Sequence, residues 1–443
     1  MRHIRRAVLA FAFLLMAAVP LAAQTGYVAN GASGGFVSFI DGSTNSILTG
    51  PILDVLVGHQ PTYLVLSPDG TRLYVSNLTC NYPDIFQGCV SVIRTDALAT
   101  SPTVNIPVGD FPRGIAITPD GARLYVVNGF QTISVIDTST DAVIATLSNI
   151  QAHGEIVMSP DGTRAYVPGW FNGEGVTVID TTTNTVAGHL VGLPSGDPIY
   201  GIAITPDGRR LYVANGNLVD ANGNYIGSNT VGVIDIASNT RLATIGVAPQ
   251  PMDMAMTPDG SKVYVAGLDP NGAYGTLTVI DTATNTVLTA ITTDCCLSVP
   301  AVTPDGSKVF VSNDRFGAYG IEVFSTVTNT QVATITNTFL YPTQFNYPYG
   351  IVFASAPAPI RMISSLITLL SSPTLGLTAG QTNSLTDKLN NALLSIQQGA
   401  TNQAINQLNA FISAVQTYAK NGKISTAAAN TLVSAANAII LAL

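Results

Sequence analysis

Apolar residues along most of this chain come in short continuous runs, cut at regular intervals by Gly, Pro, Asp and Asn. "LSPDGTRLYVSN" begins at Leu66, and close copies begin at Ile117, Met158, Ile204, Met256 and Val302. Successive copies are 41 to 52 residues apart, a spacing that suits four strands and their turns. In each copy a run such as "GIAI" reads as a first strand and "RLYVVN" as a second. "VSVID" or "LTVID" reads as a third, and "LATIGV" as a fourth. Between the first two, Ser/Thr-Pro-Asp-Gly spells a tight turn. Proline presets φ, aspartate bonds back to the backbone, and glycine takes the corner other residues avoid. "DTATNTV", with Asp281 and Asn285, is a second turn. Runs that stay apolar at successive positions predict sheets covered on both faces, as in stacked propeller blades.

Six copies carry the Pro-Asp-Gly turn, and a seventh is divided between the ends of the repeat region. "GYVANGASGGFVSFIDGSTNSILTGPI" supplies second, third and fourth strands without a first. "NYPYGIVFAS" supplies the missing one, Pro348–Ile351 aligning with Pro112–Ile115. The reading is an all-β, seven-bladed propeller of four-stranded blades, closed by a C-terminal strand against the N-terminal three. Such closure leaves no open edge around the ring.

From Ile360 the period changes. Leu385, Leu389, Leu393 and Ile396 recur at helical spacing, with Thr378 and Gln381 as a capping box. Ile405, Leu408, Ile412 and Val415 mark a second helix stopped by Gly422, and a third begins near Ser425. The expected organisation is a leader over 1–23, the propeller over 24–356 and a small all-α helical bundle over 357–443.

The second-strand tetrapeptides YVAN, YVSN, YVVN, YVPG, YVAN, YVAG and FVSN, with the whole repeat around them, resemble the YVTN β-propeller family over about residues 26 to 356. No copy reads Y-V-T-N. The resemblance implies a secreted or surface protein of a microbe. "AINQLNAFI" and the closing "AANAII" resemble the FIMAH domain of exported bacterial proteins, which implies an accessory helical bundle and no chemistry.

Arg2, Arg5 and Arg6, the apolar run Ala7–Val19 and the small residues before Gln24 form a Sec-type signal peptide, cut after Ala23. The run is too short to span a bilayer. The expected location is therefore outside the cell, on its surface or in the periplasm, with no transmembrane span in the mature chain. Removing three of 18 basic residues leaves 15 against 26 acids, net −11. An acidic surface repels phosphate backbones, which argues against nucleic acid. Only 10% of residues are charged, against about 25% in typical soluble chains. Four cysteines allow three pairings. Position favours Cys80 with Cys89, nine apart in one loop, and a vicinal bridge between Cys295 and Cys296.

Propeller geometry sorts the loops. The short uniform turns share one face. The connections between second and third strands differ widely and share the other, rich in aromatics: Tyr82, Phe86, Trp170, Phe171, Tyr225, Tyr274, Phe316 and Tyr319. Flat rings beside hydrogen-bonding groups suit a protein or glycan surface. Arg113, His59, His153, Glu155, Asp253 and Tyr349 fall in the segments that lead into the innermost strands. There is no C-x-x-C-H, three histidines remain after the leader, and Trp170 is the lone tryptophan. These counts argue against covalent haem, a copper cluster and a quinone, so the expectation is no cofactor and no metal. "DANGNY", Asp220 to Tyr225, begins like a calcium loop but lacks the sixth-position glycine and the distal acid, and reads as an Asn-Gly turn. The leading function is non-catalytic binding or scaffolding through the variable face; the alternative is a lactonase-like hydrolase using the polar residues at the channel mouth.

Overall fold

Five residues separate the first and second strands in each of the six complete repeats, because the Ser/Thr-Pro-Asp-Gly sequence closes the same turn each time. In the computed structural model, the described residues run from 25 to 441. Outside them lie 32–34, 48–54, 81–86, 96–103, 130, 153, 170–174, 191–198, 216–228, 269–273, 294–296, 314–319, 337–347, most of 355–376, and 398–399. The chain divides into two compact units, residues 23–358 and 359–443.

The first unit is a ring of seven antiparallel sheets. Blade 1 joins the two ends of the unit: Pro348–Phe353 pairs with Thr25–Asn30 through Tyr27↔Val352 and Val28↔Ile351. Phe36–Asp41 follows, and its outer partner comes in two pieces, Ser46–Ile47 and Val55–Leu56. Blades 2 to 7 each run outward in chain order from innermost strands at His59–Leu66, Ile115–Ile117, Val157–Met158, Ile199–Ile204, Pro251–Met256 and Leu297–Val302. Each innermost strand touches the next, and Leu297–Val302 returns to Pro348–Phe353, which completes the ring.

Repetition of sequence becomes repetition of packing. The second-strand aromatics Tyr27, Tyr74, Tyr125, Tyr212, Tyr264 and Phe310 are fully buried between blades. Second and third strands are buried along nearly their whole length, as in Leu277–Ile280 against Val263–Ala266, so the continuous apolar runs are met on both faces. Each turn aspartate accepts a bond from the hydroxyl two residues before it (Thr205 to Asp207 at 2.5 Å, Thr303 to Asp305 at 2.6 Å). The turn glycines all adopt φ between 71° and 74°, a region that costs a side-chain-bearing residue strain.

Basic residues that open the second strands staple each blade to the next. Arg72 donates to Thr138 O and Asp141, Arg123 to Thr181 O, and Arg210 to Thr282 O. Lys262 donates to Thr326 O. Two residues on, Tyr125, Tyr212 and Tyr264 donate their phenol protons to Asn184, Asn285 and Asn329 of the following blade. Those asparagines sit at φ 53–55° in the third-to-fourth turns, a conformation asparagine tolerates better than most residues. The "R-x-Y" spacing of the repeat is thus the grip of one blade on its neighbour.

The second unit contains the helices Ala379–Gln397, Thr401–Lys420 and Thr426–Leu441. Thr378 and Gln381 form the reciprocal capping box: Thr378 N donates to Gln381 Oε1 at 2.9 Å, and Gln381 N to Thr378 Oγ1. Gly422, at φ 65°, ends the second helix, where Lys423 N reaches back to Tyr418 O. Leu385, Leu389, Leu408, Phe411, Val415, Leu432 and Ile439 make the core, joined by Ile363, Leu366 and Leu370 from before the first of these helices. Ile405 stands at the margin, half-buried. No described helix is long and apolar enough to cross a membrane.

Candidate functional site: the variable face and the channel neck

Strand order assigns every connection to one of two faces. First-to-second turns have five residues in blades 2 to 7. Third-to-fourth turns have four in every blade but the second, which uses nine. Both kinds open on one face, and their aspartates are spent on local bonds. Asp120, Asp161 and Asp207 sit below the ordinary carboxylate range, chiefly because the Thr118, Ser159 and Thr205 hydroxyls bond their charged forms. Second-to-third connections open on the opposite face and range from three residues (129–131) to fourteen (216–229).

Of the aromatics expected on that variable face, Tyr274 is described: it directly precedes the strand Gly275–Asp281 and is 45% exposed. Tyr82, Phe86, Trp170, Phe171, Tyr225, Phe316 and Tyr319 lie outside the described residues. Cys80 and Cys89 are joined as a disulfide, Cα–Cα 5.7 Å, with Cys89 fully buried at the start of a third strand. The bridge pins the base of the blade 2 loop. Cys295, Cys296 and His153 are outside the described residues.

Where the innermost strands converge, one register position decides the chemistry. Five residues before the turn proline, blades 2 to 7 place Tyr63, Gly114, Glu155, Gly201, Asp253 and Val299; the aligned residue of blade 1 is Gly350. From blade 1 to blade 6, glycine and polar residue alternate, and Val299 of blade 7 closes the set. Each glycine lets the next blade close in. A Cβ on Gly201 would lie 2.7 Å from Asp253 Cα, and one on Gly114 would lie 2.8 Å from Glu155 Cα. One on Gly350 would lie 2.9 Å from Thr62 O and 3.2 Å from Tyr63 Cα. Room for side chains at the neck therefore falls to Tyr63, Glu155, Asp253 and Val299.

The three polar groups meet. Tyr63, from blade 2, donates across the channel to Asp253 Oδ2 of blade 6 at 3.4 Å. Glu155, from blade 4, shares a hydrogen bond with Asp253 and accepts the Ile202 N–H of blade 5 at 3.0 Å. Asp253 also accepts its neighbour's Met254 N–H, and it is 5% exposed. Glu155 and Tyr63 keep partial access to a cavity of ≈ 160 Å³ bounded by Gly114, Val299, Pro300 and Gly350, although protein surrounds them on the other sides. Burial, and then the charge of Asp253, hold Glu155 well above the ordinary range, so it stays protonated. Burial pushes Asp253 up to about 6; bonds from Glu155, Met254 and Tyr63 restrain the rise. Burial, then Asp253 and Glu155, keeps the Tyr63 phenol protonated. With Asp253 ionised and Glu155 still protonated, the carboxyl pair holds one proton.

The sequence reading named Glu155 and Asp253 but not Tyr63. The signal was present in the count of five from the turn proline, which picks all three and leaves glycine or valine elsewhere. Arg113 is exposed beside this ring, close enough to act on Tyr63. His59 opens the innermost strand of blade 2 and is half-buried, paired in register with Thr79. His189 lies on the outer strand of blade 4, bonded to Thr177, away from the channel. Among the described residues, no histidine is among the groups that act on the carboxyl pair.

Known proteins agree with this architecture. Residues 376–441 match the FIMAH domain. The chain carries a FIMAH domain at its C-terminus. Over 141 residues, 31% of the chain, it is 35% identical to the seven-bladed β-propeller protein Rv1057 of Mycobacterium tuberculosis, and the match spans 35% of that relative's length. Among solved structures, a functionally unknown protein from Desulfotomaculum acetoxidans superposes with TM-score 0.56 at 16% identity, over 75% of this chain and 98% of that one. The hydrazine synthase of Kuenenia stuttgartiensis superposes with TM-score 0.50 at 23% identity, over 62% and 86%. These likenesses are of fold.

Proposed function

We propose that this is an exported, non-catalytic binding or scaffold protein, and that its variable-loop face contacts a protein or a glycan at the cell surface. The division between the two faces carries the reading. On one face, turns of nearly uniform length use up their polar groups in turn and seam bonds. On the other, connections of unequal length gather above a rigid ring, the arrangement in which loops most often hold binding residues. The 45% exposure of Tyr274 and the disulfide at the base of the blade 2 loop support it. The leader over 1–23 and the FIMAH domain support export.

The test is saturable binding of the fluorescently labelled mature chain to cell envelopes of the producing organism, before and after protease or periodate treatment. Loss on protease identifies a protein partner and loss on periodate a glycan. Absence of saturable binding to untreated envelopes would overturn the reading.

A further inference from the structure

The alternation at the channel neck does more than fill space. Seven strands converge there, and three of the seven positions are glycines that carry no side chain across the axis. Tyr63 is the residue long enough to reach from blade 2 to blade 6, and it ends on Asp253. The cavity of ≈ 160 Å³ lies against Tyr63 and Glu155, and the Tyr63–Asp253 bond crosses the neck beside it.

We propose that Tyr63, Glu155 and Asp253 form a one-proton latch that shuts the channel, and that loss of the proton shared by the two carboxyls releases Tyr63 and opens it. The geometry supplies the closed state. Asp253 as a carboxylate accepts from the Tyr63 phenol, the Glu155 carboxyl and the Met254 N–H together. Those three donors satisfy a charge that is otherwise expensive to bury. Deprotonating Glu155 converts a donor into a second carboxylate facing the first. Two like charges in a site walled by protein repel strongly, and the Glu155 proton leaves to solvent through the cavity.

Among the described groups, few other charges oppose this. Arg113 of blade 3 is the cation that acts on Tyr63. Blade 5 contributes the Gly201–Ile202 backbone, and blades 7 and 1 bound the cavity with Val299, Pro300, Gly350 and Ile351. Among the described groups no cation is placed to neutralise both carboxylates at once. The latch is independent of the variable-face reading, since it uses none of the loop residues.

Hydroxyl-radical footprinting of the full mature chain tests it, with oxidation at position 63 read by mass spectrometry at pH 7 and pH 10 and the fold followed by circular dichroism. The wild type is expected to be protected at pH 7 and oxidised several-fold faster at pH 10. Glu155→Gln keeps a neutral donor to Asp253 and should stay protected at both. Tyr63→Phe removes the bond and should lose most of the pH step. Equal oxidation of the wild type at both pH values would overturn the proposal. So would a step in Glu155→Gln as large as the wild type's.

Discussion

Lys308 Nζ stands 2.7 Å from Asn45 Oδ1, joining residues 263 positions apart across the seam where blade 7 meets blade 1. The same ammonium donates to Gly42 O at 2.8 Å and Ser43 O at 3.1 Å. In blade 7 the second-strand aromatic is Phe310, with no phenol to reach the next blade; its ring packs 4.7 Å from Phe353 instead. Lys308, with three acceptors in the turn of blade 1, supplies the polar grip that the phenol gives in other blades.

Lys308→Met should accordingly weaken the ring at its closure. Bonds from a charged donor are worth about 1.5–3 kcal/mol each when buried, and partial exposure discounts them. The expected loss is about 2 kcal/mol in urea unfolding of the mature chain. A change below about 0.5 kcal/mol would show that the seam is held by the Phe310–Phe353 contact.

Tyr264→Phe tests the phenol grip elsewhere. Tyr264 is fully buried and donates to Asn329 at 3.0 Å. Removing the hydroxyl leaves the ring and deletes one bond, so about 1 kcal/mol should be lost. Asn329→Ala removes the acceptor as well as the residue suited to φ 53°, and it should cost more than Tyr264→Phe.

Reduction of the Cys80–Cys89 bridge gives a third expectation. A loop of this length is stabilised by about 2–3 kcal/mol on the chain-entropy model. Cys80→Ser/Cys89→Ser should lower the unfolding free energy by that amount, measured with and without reductant, and reductant should have no further effect on that double variant unless another bridge is present.

The pH dependence has two opposed arms. The turn aspartates have folded-state values below 3.8, so the stability they add is present above that pH and lost as pH falls through their folded values. Asp253 and Glu155 are raised by burial, so the folded state holds protons that the unfolded chain releases above about 4. Their contribution is greatest at low pH and declines from pH 3.8 through about 6 for Asp253, and from 4.5 upward for Glu155. Stability measured from pH 3 to 9 should rise and then fall. Asp253→Asn should flatten the fall between 4 and 6, and an unchanged slope would show that Asp253 titrates normally.

Much of this was legible in the sequence because the repeat states it six times. Pro-Asp-Gly fixed the turns, and the alignment of Pro348–Ile351 with Pro112–Ile115 placed the closing strand in the sheet of Tyr27. The Thr378–Gln381 box and Gly422 marked helix ends that the structure places there. Tyr63 was missed because its partners are 92 and 190 residues away, and the count of five from the turn proline marks a position without saying that its side chains meet across the axis. The inter-blade role of Lys308 was hidden for the same reason. Inward register, once known, reads Tyr63 directly, and the R-x-Y spacing of the other blades reads Lys308.

The most direct measurement compares envelope binding by two variants of the labelled mature chain. Trp170→Ala/Tyr274→Ala alters the variable face; Thr182→Ala/Thr284→Ala alters exposed turns on the other. The first should weaken binding at least tenfold and the second should leave it unchanged. Unchanged binding in the first, or an equal loss in the second, would contradict the assignment of recognition to the variable face.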